Sequence, residues 1–137
     1  MVCLLRTRYR DALRSRKGWV NGTKGLNTPM GHLIYDGALY EFEDRLLAHV
    51  KMVVQLKLTK MECFFLTWHP HCQADSEMSV WISPRSPLAF HFSGSREPPL
   101  SKSWVVALNA ISHTPRGLVV ISEKDAIRYL RDNPGVR

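Results

Sequence analysis

Between residues 32 and 42 apolar and polar positions alternate on either side of an Asp-Gly dipeptide. His32-Leu33-Ile34-Tyr35 and Ala38-Leu39-Tyr40-Glu41-Phe42 read as the arms of a β-hairpin, because Asp-Gly suits the positive φ angles of a two-residue type I′ turn. A two-residue loop sets Leu33 opposite Tyr40, Tyr35 opposite Ala38 and His32 opposite Glu41. Leu33, Tyr35, Tyr40 and Phe42 then share one apolar face. Beyond the hairpin the period changes. Leu46, Leu47, Val50, Val53, Val54, Leu58 and Met61 fall on a wide helical stripe, which predicts a helix over about 44–61. Asp44 is its expected N-cap, and Lys51, Lys57 and Lys60 sit in the half that the helix dipole favours for cations.

Strand-like patterning returns at Glu62–Trp68, at Ser79–Ser83 and at Leu88–Phe92. Val80 and Ile82 fall on one side of the middle strand and Trp81 on the other. The segments His69–Met78, Pro84–Pro87 and Ser93–Pro99 read as loops and turns. A second helix is expected from an N-cap at Ser101, with Trp104, Val105, Leu108 and Ile111 inward, ending before Pro115 and Gly117. Leu118–Ile121 is a short strand. Ser122 with Asp125 forms a capping-box-like start to a last helix through Leu130. The order β-β-α-β-β-β-α-β-α predicts an α+β fold, with a mostly antiparallel sheet and two or three helices packed on one face.

The chain has 137 residues, 45% hydrophobic and 23% charged. Those values fit one globular domain and argue against disorder of the whole chain. No apolar run approaches the ~18 residues of a membrane helix. The formal net charge is +7, but it is unevenly placed. Residues 1–29 hold seven basic residues against Asp11, a net of +6, whereas residues 30–137 carry twelve basic and eleven acidic residues, a net of +1. Three parts follow: a basic, flexible leader over 1–29, one α+β domain over 30–132, and a tail over 133–137. The leader is rich in Gly, Asn and Pro near its end. It reads as a phosphate-contacting arm, as a solvated tail, or as an extension from a misassigned start with Met30 the true first residue. Val2-Cys3-Leu4-Leu5 is too short for a secretory h-region, so a cytoplasmic location is expected. Cys3, Cys63 and Cys72 are odd in number and sparse, which suits free thiols in a reducing compartment.

Four features bear on chemistry. His69-Pro70-His71-Cys72 packs three metal-ligand types into four residues, yet no second pair stands at zinc-finger spacing. A polar loop is the better reading; His69, His71 and Cys72 are the weak metal candidates, and no metal or cofactor is expected. Ser93-Gly94-Ser95-Arg96 offers small residues beside a guanidinium, an arrangement suited to an anion, although no Walker spacing is present. Arg45 and His49 are one turn apart and share a helix face. With Arg85, Ser95 and Arg96 they are the candidate anion- or partner-binding residues. Trp68, Trp81 and Trp104, with Phe64, Phe65, Phe90 and Phe92, read as core packing in preference to base-stacking platforms. No pattern specifies a catalytic triad or an acid–base pair, and no catalytic residue is assigned.

Met30-Gly31, Leu33, Tyr35, Phe42-x-Asp44-Arg45-Leu46-Leu47-Ala48-His49, Lys57-Leu58, Glu62-x-Phe64, Trp68, Ser79-x-Trp81, Pro84, Pro87-Leu88, Phe90, Gly94-Ser95-Arg96, Trp104, Leu108 and Gly117-Leu118 carry a resemblance. Over about residues 30–121 the chain resembles a family of small actinobacterial domains of unknown function, often labelled ATP-dependent DNA ligase. That label implies a Lys-x-Asp-Gly adenylation motif. Asp36-Gly37 matches its end, but Ile34 stands where the lysine nucleophile belongs, and an alkyl side chain cannot attack an adenylate phosphorus. The expected function is a small cytoplasmic binding or accessory module with a nucleic-acid link that comes from the resemblance. A ligase-type enzyme or fragment is disfavoured. An oligomeric protein-interaction module, with a second copy as partner, is the other alternative.

Overall fold

The computed structural model describes residues 28–70 and 75–137. The elements are β1 (Met30–Tyr35), β2 (Ala38–Glu43), α1 (Asp44–Thr59), β3 (Phe64–Trp68), β4 (Met78–Ile82), β5 (Leu88–His91), α2 (Lys102–Ser112), β6 (Leu118–Val119) and α3 (Glu123–Asp132). The fold is α+β and the order is the expected one. The strands divide into two three-stranded sheets, β2-β1-β5 and β4-β3-β6. The first is antiparallel throughout; in the second β3 runs antiparallel to β4 and parallel to β6.

The hairpin has the register its turn dictates, with Leu33 opposite Tyr40 and His32 opposite Glu41. Asp36 at φ 48° and Gly37 at φ 79° give the two positive angles of a type I′ turn. The Asp36 N–H donates to the Pro87 carbonyl at 3.0 Å and ties the turn to the start of β5. Leu33 and Phe42 from the first sheet, Leu66, Ile82 and Leu118 from the second, Leu47, Val50, Val53 and Val54 from α1, Trp104 and Leu108 from α2 and Ala126 from α3 meet in one core. Among the described residues no helix is long and apolar enough to cross a membrane.

Several element ends differ from expectation, each for a local reason. Asp44 is not the N-cap of α1; Glu43 occupies that position without a side-chain cap, and the Asp44 carboxylate is bonded elsewhere. The helix stops at Thr59, leaving Met61 outside the stripe. The Thr59 hydroxyl donates to the carbonyls of Gln55 and Leu56, at 2.5 and 3.0 Å. Met61 takes φ 59°, and the N–H groups of Met61 and Glu62 donate back to Leu58 and Lys57 at 3.0 and 3.1 Å. This is a Schellman closure with methionine where glycine is usual. β3 begins at Phe64 because Glu62 is turned to an ion pair with Lys57, at 2.9 Å. β6 ends at Val119, and the Ile121 carbonyl accepts the Trp104 indole N–H at 3.0 Å. Ser101 stands at the N-cap of α2 but does not cap it. Its N–H serves His49 and its hydroxyl bonds Glu123. The Ser122 start of α3 forms as expected: the Asp125 N–H donates to Ser122 Oγ at 3.1 Å, and that hydroxyl donates to the Asp125 carboxylate at 2.8 Å.

Candidate functional site

Arg45 and His49 come together as their spacing requires, one turn apart on α1. The Arg45 guanidinium forms a two-pronged ion pair with Glu123 at the start of α3, its Nη2 lying 2.9 Å from Oε1 and its Nη1 bonding Oε2. It also lies over the Trp104 ring, 5.4 Å from the centroid. The hydrogen bonds to Glu123 raise the Arg45 value further above its ordinary one, and the same bonds hold the Glu123 carboxyl below the usual range. His49 is fully buried and stacks on Trp104 with centroids 4.2 Å apart. Its Nε2 lies 2.7 Å from the Ser101 amide nitrogen, which can only donate. Nε2 is therefore the acceptor, and the proton sits on Nδ1, which donates to the Arg45 carbonyl at 2.6 Å. Burial lowers the proton affinity of this imidazole, the hydrogen bond to the Arg45 carbonyl opposes that shift, and the Arg45 charge adds to it. The pair thus forms a joint between three helices, with its polar groups engaged inside the fold.

A cleft of about 440 Å³ opens beside this joint. It lies where the end of β2, the first turn of α1, the end of β3 and the 120–124 segment meet. Phe42, Leu46, Trp68, Trp104, Val120 and Ile121 supply apolar wall, and Glu41, Glu43, Arg45, Glu123 and Lys124 supply charge.

The Ser93–Arg96 loop also holds an anion, but an internal one. The Asp44 carboxylate accepts from the Ser93 N–H at 3.1 Å, the Ser93 hydroxyl at 3.0 Å and the Gly94 N–H at 3.0 Å. Burial works to raise this carboxyl, and the bonds from Gly94 and Ser93 overcome it, so the net direction is down. Gly31 makes room: a Cβ there would stand 2.5 Å from Asp44 Oδ1 and 2.4 Å from the His91 carbonyl oxygen. Ser95 and Arg96 are exposed just beyond these contacts. Arg85 is exposed in the β4–β5 turn, so β5 separates it from Arg96. The His69 ring donates from Nδ1 to the Ser76 carbonyl at 3.0 Å. His71, Cys72 and the leader through residue 27 lie outside the described residues. Among the described residues no three His, Cys, Asp or Glu side chains converge as metal ligands.

Core packing holds for Phe64, Trp68 and Trp104, with Phe90 and Phe92 partly buried against the core. It fails for Phe65 and Trp81, which are 49% and 48% exposed. They stand opposite each other on β3 and β4 and meet edge to face at 5.0 Å. The physical reason is the two-residue period: Phe64, Leu66, Val80 and Ile82 take the inner face, so Phe65 and Trp81 take the outer one. Two exposed arginines lie in the segments next to these strands. Arg85 belongs to the turn whose Ser86 hydroxyl donates to the Trp81 carbonyl at 3.4 Å. Arg116 precedes Gly117, which has φ 74° and where a Cβ would lie 2.5 Å from the Phe65 carbonyl oxygen. Asp75 and Glu77 sit at the opposite end of β4 from Arg85. That the segment carrying Arg116 runs up to the Phe65 backbone is not legible without the β3–β6 pairing, whereas the odd-face position of Trp81 is visible in the alternation.

The sequence model of a family described as a domain of unknown function, DUF7882, matches residues 30–123. The chain belongs to the DUF7882 family. The DUF7882 match starts at the first residue of β1 and ends at Glu123, so it contains both partners of the Arg45 ion pair and all six strands. Searches among curated proteins and among solved structures find no match.

Proposed function

We propose that this DUF7882 domain is a small non-catalytic binding module that contacts single-stranded nucleic acid through the outer face of β3 and β4. The exposed Phe65–Trp81 pair carries the reading, with exposed Arg85 in the turn after β4 and exposed Arg116 in the segment before β6. Exposed aromatic rings offer faces on which any base stacks, and adjacent guanidinium groups complement the phosphates. The basic residues of the leader add to the same attraction without selecting a surface. A ligase-type activity has no support at Asp36-Gly37, which is the hairpin turn, with Ile34 in the position of the nucleophile. A cytoplasmic setting goes with this reading, since Cys63 is an exposed free thiol.

The test is fluorescence anisotropy of a labelled single-stranded oligonucleotide with the full chain. Losing one stacking ring costs about 1–3 kcal/mol, so Trp81→Ala and Phe65→Ala are each expected to weaken binding by about five-fold or more. Each phosphate contact contributes roughly 0.7 to the salt slope on single strands, so the double variant Arg85→Gln/Arg116→Gln is expected to lower the slope by about 1.4. Wild-type affinity in both aromatic variants would refute the reading. Concentration-dependent self-association that disappears in Trp81→Ala, without oligonucleotide binding, would assign the pair to a second copy instead.

A further inference from the structure

We propose that the free edge of β4 pairs with the same edge of a second copy of this chain, antiparallel and about a two-fold axis at Ser79. β4 is an outer strand of its sheet. The direction of its backbone groups follows from the pairing on the far side of β3. The Val120 N–H donates to the Thr67 carbonyl at 2.8 Å, so Thr67 turns its backbone groups to β6 and not to β4. Thr67 and Ser79 are therefore a pair without ladder hydrogen bonds, the kind that brings side chains close, and their hydroxyls meet at 2.7 Å. Phe65 and Trp81, two residues along, have the same status. The N–H and C=O groups of Ser79 and Trp81 consequently point away from β3, into the open edge.

That edge is closed at one end only. The Trp81 carbonyl accepts the Tyr35 hydroxyl at 2.5 Å and the Ser86 hydroxyl at 3.4 Å. The Trp81 N–H and both backbone groups of Ser79 have no such partner among the described residues. An axis at Ser79 uses what is open and nothing that is taken. Each Ser79 N–H donates to the Ser79 carbonyl of the other copy, and each Trp81 N–H donates to the Glu77 carbonyl of the other copy. On the inner face Met78 of each copy then stands opposite Val80 of the other. The charges select a second copy as the partner. Asp75 and Glu77 precede β4 and Arg85 follows it; all three are exposed, and no hydrogen bond or ion pair within the described residues engages their side chains. Antiparallel pairing brings the acidic end of each edge to the Arg85 end of the other, and the two-fold axis repeats the contact. The Phe65–Trp81 rings of both copies share one outer face and stay exposed, so the inference holds or fails independently of the nucleic-acid reading.

The experiment is sedimentation of the full chain over a wide range of concentration, joined to amide hydrogen exchange by NMR. A monomer–dimer equilibrium is expected. The Ser79 and Trp81 amides are expected to exchange more slowly as the dimer fills, while the Val80 amide, paired with β3, is protected throughout. Ser79→Pro removes the central donor, at an edge position where proline leaves the β3–β4 ladder intact, and is expected to abolish the dimer. Ser79→Ala keeps that donor, loses the same hydroxyl bond to Thr67 and is expected to dimerise, which separates pairing from any effect on the fold. Asp75→Arg and Arg85→Asp are each expected to weaken association by about three- to ten-fold, since the axis doubles each exposed charge contact, and the double variant is expected to restore it. A monomer at every concentration would overturn the proposal. So would a dimer that survives Ser79→Pro, one whose Ser79 and Trp81 amides gain no protection, or one that the charge reversals leave unchanged.

Discussion

Acidifying the protein from pH 7.5 to 5.5 is expected to weaken the folded state through His49. The imidazole has 0% exposure, donates from Nδ1 to the Arg45 carbonyl and accepts at Nε2 from the Ser101 amide. A second proton can go nowhere but Nε2, where it breaks the 2.7 Å bond and places a cation against the Arg45 charge. Burial first, and Arg45 in addition, hold the folded group below its ordinary 6.5. The unfolded chain then takes up a proton that the folded chain refuses. The stabilising contribution is therefore complete above about pH 6.5 and declines as pH falls below it, toward the lower folded value. The limiting slope is about 1.4 kcal/mol per pH unit, so the decline to pH 5.5 amounts to at most about 1.4 kcal/mol. In a domain of this size that is a fall in Tm of roughly 5–10 °C. Urea unfolding followed by tryptophan fluorescence at pH 7.5, 6.5 and 5.5, in the wild type and in His49→Gln, isolates the effect. The variant is expected to start about 1–3 kcal/mol lower, from imperfectly replaced buried hydrogen bonds, and to lack this component of the pH dependence. The same pH dependence in both proteins would refute the reasoning.

Asp44→Ala is expected to cost about 2–3 kcal/mol in chemical denaturation, because charge-assisted bonds to Ser93 and Gly94 are lost while the exposed loop amides regain water. With its folded value lowered, Asp44 stabilises fully above its unfolded value near 3.8 and loses that contribution as pH falls through the folded one, so Asp44→Ala is expected to flatten the acid limb below about pH 4. Met61→Gly is expected to raise stability by about 0.5–1 kcal/mol, since only glycine adopts the left-handed closing position of α1 without a side-chain penalty. A thermal melt checks this, and an unchanged or lower Tm would count against the left-handed backbone at Met61.

The parts of the fold that were legible in the sequence are those governed by local rules. The hairpin register follows from a two-residue turn, and its pairs stand as the turn demands. The Ser122–Asp125 start of α3 is a contact between neighbours three residues apart. The failures occur where a distant partner outbids the local rule. Asp44 has the chemistry of an N-cap, but Ser93 and Gly94, some fifty residues away, claim its carboxylate. Ser101 has the same chemistry, and Glu123 claims its hydroxyl. The candidate site divides in the same way. The shared face of Arg45 and His49 was readable from their spacing, but Glu123 and Trp104, which determine what the pair does, enter through α2 and α3. The outward position of Trp81 was readable from strand alternation. The approach of the segment carrying Arg116 to the Phe65 backbone was not, because it arrives through the parallel pairing of β6 with β3.

The polar residues buried along α1 separate what holds the fold from what is open to a partner. Asp44 reaches the loop after β5, His49 reaches the start of α2, and Lys57 reaches the Ser112 carbonyl at the end of α2 at 3.2 Å. A buried polar group must find such partners or be strongly destabilising, and among the described residues every buried side-chain N or O atom has one. Each of these groups is tied to a partner inside the fold, so changing one of them alters stability first and any binding only as a consequence. The side chains of Arg85, Ser95, Arg96, Arg116 and Lys124 are in the opposite position: they are exposed, and no hydrogen bond or ion pair within the described residues engages them. Their substitution leaves the core intact. A loss of binding at Arg85 or Arg116 with unchanged Tm therefore locates the contact on the outer sheet face, whereas a loss at Arg45 accompanied by a lower Tm reports on the helix joint and says nothing about a ligand.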